Sequence, residues 1–473
     1  MSEWPLWTVA GIGDRFRGFA RGNLAALLSG QAVLTLVNMA ILIMINRVYA
    51  RPGDATDVGR LAAVLSLMLA AVVLTVSGIS ASLTRRISLA RAGGGEDRKA
   101  TIARAIGGGL TLAAVVGFAL MLLGLAAPQI AYAAAKAWWP QHAPNLEPYV
   151  WALQLAALWL PSLSLGIVFS AVFDGFQRMR WSLLAEAGTF QVMRLAGAIV
   201  AMLLAGWAWT GLIGAWGVAY VIATVLMGLE LWVMLRLERQ PVAWRRLPLR
   251  GMLRDAFFMF LPVSAPMLFS QSGVLVAGIG GGGEASATFW VTWSLSLVVT
   301  AFCGPVGRVL FPAIPGLYGA PDRREMVRVL RRALWGVSIL AIGFVLGANL
   351  VKGWLLTYLH QDGQGVIMSV LLAASFFEVH RTVLNPVLLA TGYERTLALL
   401  EWAGLAMVIV GGLVAMLAGG LVGLACVFLA VYLAAGAVRV CLVSAVCGAR
   451  LWIDAALTVA IVLALTVAFV FLR

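Results

Sequence analysis

Two groups of polar residues lie inside stretches that are otherwise apolar. Arg194 is near the middle of residues 182–204, and Gln191, three residues earlier, shares its helical face. Ser375, Glu378, Arg381 and Asn385 follow one another at spacings of 3, 3 and 4, again one face of a helix. A guanidinium offers a planar fork of donors that matches phosphate or carboxylate oxygens in pairs. A charge deep in a bilayer is costly, so it faces a hydrated cavity or a partner. Arg194 and Gln191 are therefore candidates to touch a phosphate or sugar in a cleft; the alternative is an ion pair that ties two helices together. The second stripe is a candidate cleft lining; the alternative is that Glu378 and Arg381 neutralise each other. His380 points away from that stripe and reads as a packing residue rather than a proton relay.

Other candidates lie nearer the ends of the apolar stretches. Arg47 and Arg60 could draw an anionic headgroup, or could snorkel to the interface. Pro262 and Pro266, among Ser264, Ser270 and Gln271, remove backbone donors and should bend their helix, which makes them hinge candidates. Glu186 and Glu401 are gate candidates, or partners for Arg178 and Arg395.

These residues need elements to hold them, and composition says what kind. Of 473 residues, 62% are hydrophobic and 11% charged, with mean hydropathy +0.96. A soluble domain is about half apolar and a quarter charged, so the principal solvent here is lipid. Thirteen stretches reach the roughly 20 apolar residues that a spanning helix needs. They lie near 23–46, 58–83, 105–127, 150–173, 182–204, 210–235, 256–279, 286–311, 333–356, 365–390, 397–417, 420–445 and 452–472. The eleventh and twelfth are separated by a tight turn at Ala418-Gly419-Gly420. The expected fold is an all-α polytopic membrane protein. Residues 1–22 form an interfacial segment mixing Trp and Arg, with no cleaved signal peptide.

The net charge of +14 would suggest nucleic acid in a soluble protein. Here 26 of the 34 Lys and Arg residues fall in alternate segments on one side and six on the other, with Arg194 and Arg381 mid-span. That alternation is the positive-inside pattern, with a cytoplasmic N-terminus, and no nucleic-acid partner is expected. The four cysteines have no metal-ligand spacing with a histidine and read as packing residues.

A phrase occurs twice. Gly175-Phe176-Gln177-Arg178 leads through leucines to Glu186 and Gly188; Gly392-Tyr393-Glu394-Arg395 leads likewise to Glu401 and Gly404. Each lies between the fourth and fifth stretch of its half. A second echo, Gly211-Leu212-Ile213-Gly214 and Gly420-Leu421-Val422-Gly423, opens the sixth stretch of each half. The reading is a six-span unit used twice in parallel: an N-lobe at 23–235, a basic cytoplasmic linker at 236–254, a C-lobe at 255–445 and an extra C-terminal span at 446–473. An even number of spans sends both units into the membrane the same way, related by a pseudo-twofold along the normal and enclosing a central cleft.

These residues carry a resemblance. The two Gly-aromatic-X-Arg turns, Gly211–Tyr220, the run Phe257–Gly273 and the segment Gly304–Leu317 resemble the multidrug/oligosaccharidyl-lipid/polysaccharide flippase superfamily. Within it the chain is most similar to the Wzx-type polysaccharide repeat-unit flippases, over about residues 20–445. The resemblance implies a bacterial inner-membrane protein that moves an undecaprenyl-pyrophosphate-linked oligosaccharide outward by alternating access, for polysaccharide or O-antigen export. It implies a polymerase and glycosyltransferases as partners, and coupling to H+ or Na+ fits the same picture. Members usually have 12 or 14 spans, so thirteen is a departure. Rival readings are a lipid II flippase of peptidoglycan synthesis and a cation-coupled multidrug exporter of the same superfamily; arginines in mid-membrane suit an anionic substrate better than a cationic drug.

No enzyme site and no cofactor are expected. The Gly-rich runs at 93–95 and 278–285 lack the Lys-Ser/Thr of a phosphate-cradling loop and read as turns. ATP is thus not expected to act on this chain directly.

Overall fold

A chain that must satisfy its backbone inside hydrocarbon can be helical or a closed barrel, and this one is helical. The computed structural model describes residues 35–45, 55–92, 97–138, 140, 143–176, 178, 181–182, 184–204, 209–245, 247–318, 324–361, 363–448 and 451–471, and contains no strand among them. The helices are α1 (Thr35–Ile45), α2 (Ala55–Ala92), α3 (Arg98–Trp138), α4 (Ala143–Ala157), α5 (Leu160–Gly175), a π-helix (Leu184–Phe190), α6 (Gln191–Leu204) and α7 (Trp209–Leu237). There follow α8 (Leu249–Ser296), α9 (Val298–Tyr318), α10 (Arg324–Tyr358), α11 (Gly365–Ala390), α12 (Glu394–Cys447) and α13 (Leu451–Phe471).

Two helices are too long for one crossing. At about 1.5 Å per residue, the 48 residues of α8 and the 54 of α12 would measure roughly 70 and 80 Å, against a hydrocarbon core of about 30 Å. Each is broken at a glycine: Gly282, with φ 78°, and Gly420, with φ 61°. Neither has an atom within 4 Å of where a Cβ would sit, so the left-handed backbone, not crowding, calls for glycine. Gly420 lies in the turn expected at 418–420, and Gly282 in the glycine run at 278–285. α8 runs helically through Pro262 and Pro266, and its non-helical residue is Gly282.

By length and composition seven helices can cross a membrane, or eight with α4 and α5 counted as one span bent by 47°. Pro161 at the start of α5 accounts for that bend, because proline cannot donate to the preceding turn. Two of the seven contain the glycine breaks. Three further apolar helices, Thr35–Ile45, Gln191–Leu203 and Ala456–Val470, are shorter. Each of the thirteen apolar stretches therefore holds helix.

The chain forms two compact units. The first comprises Leu36–Val291 and Glu401–Leu424. Its core sets Val72, Val76, Ile79 and Leu83 of α2 against Val168, Val172 and Phe173 of α5, with Trp216 and Tyr220 of α7. Thr84 of α2 donates to the Ala171 carbonyl of α5 at 2.9 Å. Residues 236–254 lie in this unit. Residues 238–245 run as a strap over α3: Ala243 N–H donates to Ala103 O at 3.1 Å, and Gln240 donates to Lys99 O at 2.7 Å. Gly107 makes room for it, since a Cβ there would stand 1.8 Å from Ala243 O.

The second unit comprises Thr292–Leu400 and Ala425–Arg473. α9 approaches α11 at Gly307, where a Cβ would lie 2.4 Å from Thr382 O. Trp293 packs against Phe428 and Tyr432, at centroid distances of 5.3 and 6.0 Å.

Candidate functional site

In the first unit, the π-helix carries the chain into α6, which presents Arg194 one turn after Gln191. Arg194 Nη1 donates to Gln191 Oε1 at 3.0 Å and to Asn38 Oδ1 of α1 at 3.1 Å. Its guanidinium lies over the Trp216 ring, 5.3 Å from the centroid. Trp216 Nε1 donates to the Arg194 carbonyl at 3.0 Å, fixing α7 to the same turn of α6. The Tyr220 hydroxyl is also within hydrogen-bonding reach of Arg194. Tyr220 stacks on Trp159, at 4.7 Å, and against Phe190, at 4.8 Å. Gly197 allows the two helices to meet so closely: a Cβ there would lie 2.9 Å from Ala219 Cβ.

This arginine is oriented by two neutral amides, a phenol and an aromatic face. Among the described residues no carboxylate pairs with it, and its Nε is buried without a hydrogen-bond partner. The side chain is half-buried, with a donor left over. Chemically it can receive an anion.

The second unit treats its charges differently. Arg381 and Glu378 of α11 form an i,i+3 ion pair, with side-chain exposures of 20% and 4%. Ser375 is buried and donates to its own helix, at Leu372 O, 2.8 Å. Asn385 is half-buried, one turn beyond Arg381. His380 is held at both ring nitrogens: Nδ1–H donates to Phe376 O at 2.9 Å, and Nε2 hydrogen-bonds with Ser338 Oγ of α10, also at 2.9 Å.

The remaining candidates scatter. Arg60 pairs with Asp57 at 2.9 Å in the first turn of α2. Glu401, at the start of α12, is buried in the first unit. Arg47, and the side chains of Glu186, Pro262 and Pro266, lie outside the described residues. Arg178 reaches the end of α7 and pairs with Glu238, Nε to Oε1 at 2.6 Å.

Sequence reasoning missed several groups. Asn38, Trp216 and Tyr220 complete the Arg194 site from other helices, and nothing in their local pattern signals it. Glu230 of α7 accepts a hydrogen bond from Thr189 of the π-helix at 2.5 Å. Arg439 is 2% exposed inside α12. Its position within the apolar stretch 420–445 was the available signal. Lys352, counted as an outside residue, donates to Ser369 Oγ at 2.8 Å and to Phe469 O at 2.9 Å, linking α10 to α11 and α13. Ser369 in turn donates to Asn349 Oδ1 at 2.7 Å.

A polytopic helical chain with these breaks and pairings has the fold of transporters of the multidrug/oligosaccharidyl-lipid/polysaccharide, or MOP, superfamily. An inward-facing multidrug resistance MATE family transporter of that superfamily is similar with a TM-score of 0.68 at 14% identity, covering 89% of this chain and 98% of that one. A MOP superfamily transporter from Pyrococcus furiosus matches with a TM-score of 0.67 at 15% identity, covering 94% of this chain and 95% of that one. An outward-facing multidrug resistance MATE family transporter gives 0.67 at 15% identity, covering 88% and 93%. The comparison with curated proteins gives no match. The chain belongs to the polysaccharide biosynthesis protein family, whose pattern matches residues 27–317, more than half of its length.

Proposed function

We propose that this protein is a flippase that carries an undecaprenyl-pyrophosphate-linked oligosaccharide repeat unit across the bacterial inner membrane, with its N-terminus cytoplasmic. The observation that carries the reading is Arg194. It is a cation within an apolar helix, held by Asn38 and Gln191 without a carboxylate among the described residues. A pyrophosphate brings oxygens in pairs, which suits a guanidinium fork. Membership of a polysaccharide biosynthesis family supports a sugar-bearing substrate. The Pyrococcus furiosus relative is described as having a binding pocket of reverse polarity that suggests a different function. A basic site in a fold shared with drug exporters is a departure of the same kind.

Alternating access of two six-span lobes around a central cleft is the proposed mechanism. No bond is made or broken. Arg194 holds the pyrophosphate while the cleft changes the side to which it opens. The polymerase and glycosyltransferases that would consume and supply the substrate are part of this proposal. O-antigen export and lipid II flipping are narrower versions of it.

A cation-coupled exporter is the second reading, and Glu230 favours it. That carboxylate sits inside α7, with Thr189 as its hydrogen-bond partner and Oε2 buried without one. H+ or Na+ could neutralise it.

The test is expression in a host whose own repeat-unit flippase is deleted. Restored outward exposure of the lipid-linked oligosaccharide, lost in Arg194→Ala at equal protein level, supports the flippase. No exposure in hosts with different repeat units, together with cation-dependent drug efflux, supports the exporter instead.

A further inference from the structure

One end of the first unit gathers cations and tryptophans along a single boundary. Three neighbouring elements change character there. On α7, exposed Val225 and Leu229 give way to Trp232 and then Arg236, whose guanidinium sits 4.0 Å from the Trp232 ring centroid. On the strap, exposed Trp244 precedes exposed Arg245. On α8, Arg250 and Arg254, one turn apart, precede Phe257 and Phe258, and all four are exposed. These three elements thus show the same order, from an apolar or aromatic surface to arginine. That order is what a helix shows where it leaves hydrocarbon for headgroups.

The boundary is built rigidly. The strap is seated on α3 by the Ala243 and Gln240 hydrogen bonds and by the Gly107 approach. Gly108 receives Met252, whose Sδ lies 2.5 Å from where a Cβ would be. So Gly107 and Gly108 form a seat for the strap and the start of α8. Seating the strap brings Arg98 and Lys99, both exposed at the start of α3, next to Gln240.

The acids of this end are largely engaged. Asp255 binds Arg86, with Nε at 3.0 Å and Nη2 at 2.5 Å, and Glu238 binds Arg178. Asp97 is exposed beside Arg98. Arg98, Lys99, Arg239, Arg245, Arg250 and Arg254 make no ion pair among the described residues. A topology signal needs only charge on one side; it needs neither a seated strap nor arginines in register with exposed aromatics.

We propose that this strap and the start of α8 form a binding surface for anionic phospholipid headgroups of the inner leaflet. Arg245, Arg250 and Arg254 hold the phosphates, and Trp244, Phe257 and Phe258 lie against the glycerol and upper acyl region. Each arginine near an anionic leaflet contributes about 1 kcal/mol of attraction, so three account for a preference of roughly a hundredfold over neutral lipid.

The experiment is lipid retention by the purified full-length protein. It is equilibrated with equal phosphatidylglycerol and phosphatidylcholine in detergent and read by native mass spectrometry. Wild type should keep phosphatidylglycerol selectively. Arg245→Gln/Arg250→Gln/Arg254→Gln should lose at least three-quarters of that selectivity, while the triple Lys variant keeps it. A cysteine-accessibility check confirms unchanged topology. Equal selectivity in the Gln variant, or no selectivity in wild type, overturns the proposal. So does displacement of the lipid by inorganic pyrophosphate at equal concentration, which would assign the surface to a free anion. None of these outcomes depends on what the protein transports.

Discussion

Arg194 and Arg381 are both arginines inside apolar helices, yet the chain treats them in opposite ways. Arg381 has a carboxylate three residues away on its own helix and pairs with it. Arg194 has amides, a phenol and an indole. In the first arrangement the two charges cancel within one helix. The second leaves one net charge and one buried donor, which an anionic substrate can complete. The residue type is the same; the sign of the neighbours decides whether it is cement or a binding group.

This contrast predicts different failures. Arg194→Ala should lower transport on the order of a hundredfold, the loss of two charge-assisted hydrogen bonds, while the amount of folded protein changes little. Arg194→Lys should keep part of the activity. The readout is outward exposure of lipid-linked oligosaccharide per unit of protein. Glu378→Ala should do the reverse. It removes the carboxylate that pairs with Arg381 at a site 4% exposed on the glutamate side, a destabilisation of about 3–5 kcal/mol. Thermal stability in detergent would fall, and Glu378→Leu/Arg381→Met should recover most of it. If instead Glu378→Leu/Arg381→Met folds well but transports nothing, the α11 pair belongs to the substrate path, and the contrast drawn here breaks.

The echoed turns sharpen the comparison at a smaller scale. Gly175 ends α5 against α2, where a Cβ would stand 2.9 Å from Ile87 Cβ. Gly392 has φ 86° and nothing within 4 Å. The same letter answers a packing demand in one half and a backbone demand in the other. Ala at either position should cost roughly 1–2 kcal/mol. Ile87→Ala should relieve only part of the Gly175→Ala crowding, because the nearest atom, the Ile87 Cβ, remains, and no neighbour should rescue Gly392→Ala, as thermal melts would report. The smallest effect belongs to Arg178. Its pair with Glu238 is more than half exposed on the arginine side, so Arg178→Ala should shift stability by about 0–1 kcal/mol, less at high salt.

Much of this architecture could be read from the sequence because hydrophobic length is a local property. α11 spans the very residues expected, 365–390, and Gly420 breaks α12 where a Gly pair stood between two apolar runs. Arg194 itself was visible as a charge where charge is expensive. Its site was not, because Asn38, Trp216 and Tyr220 arrive from helices far away in sequence and each looks unremarkable in its own. The burial of Arg439 was illegible for a related reason: a count of basic residues by side says nothing of which of them packing buries. The backbone of α8 turns at Gly282, inside the glycine run 278–285 that reads as a turn between two apolar stretches, while a helix tolerates proline when neighbours satisfy the freed carbonyl.

The most direct test of the central claim is flipping by the purified protein in sealed vesicles that contain a fluorescent undecaprenyl-pyrophosphate oligosaccharide. Reduction of exposed fluorophore by a membrane-impermeant agent reports how much has crossed. The account predicts that wild type and Glu378→Leu/Arg381→Met both move the lipid, and that Arg194→Gln, equally folded, does not. Flipping by Arg194→Gln at the wild-type rate would contradict it and remove the basic site from the mechanism.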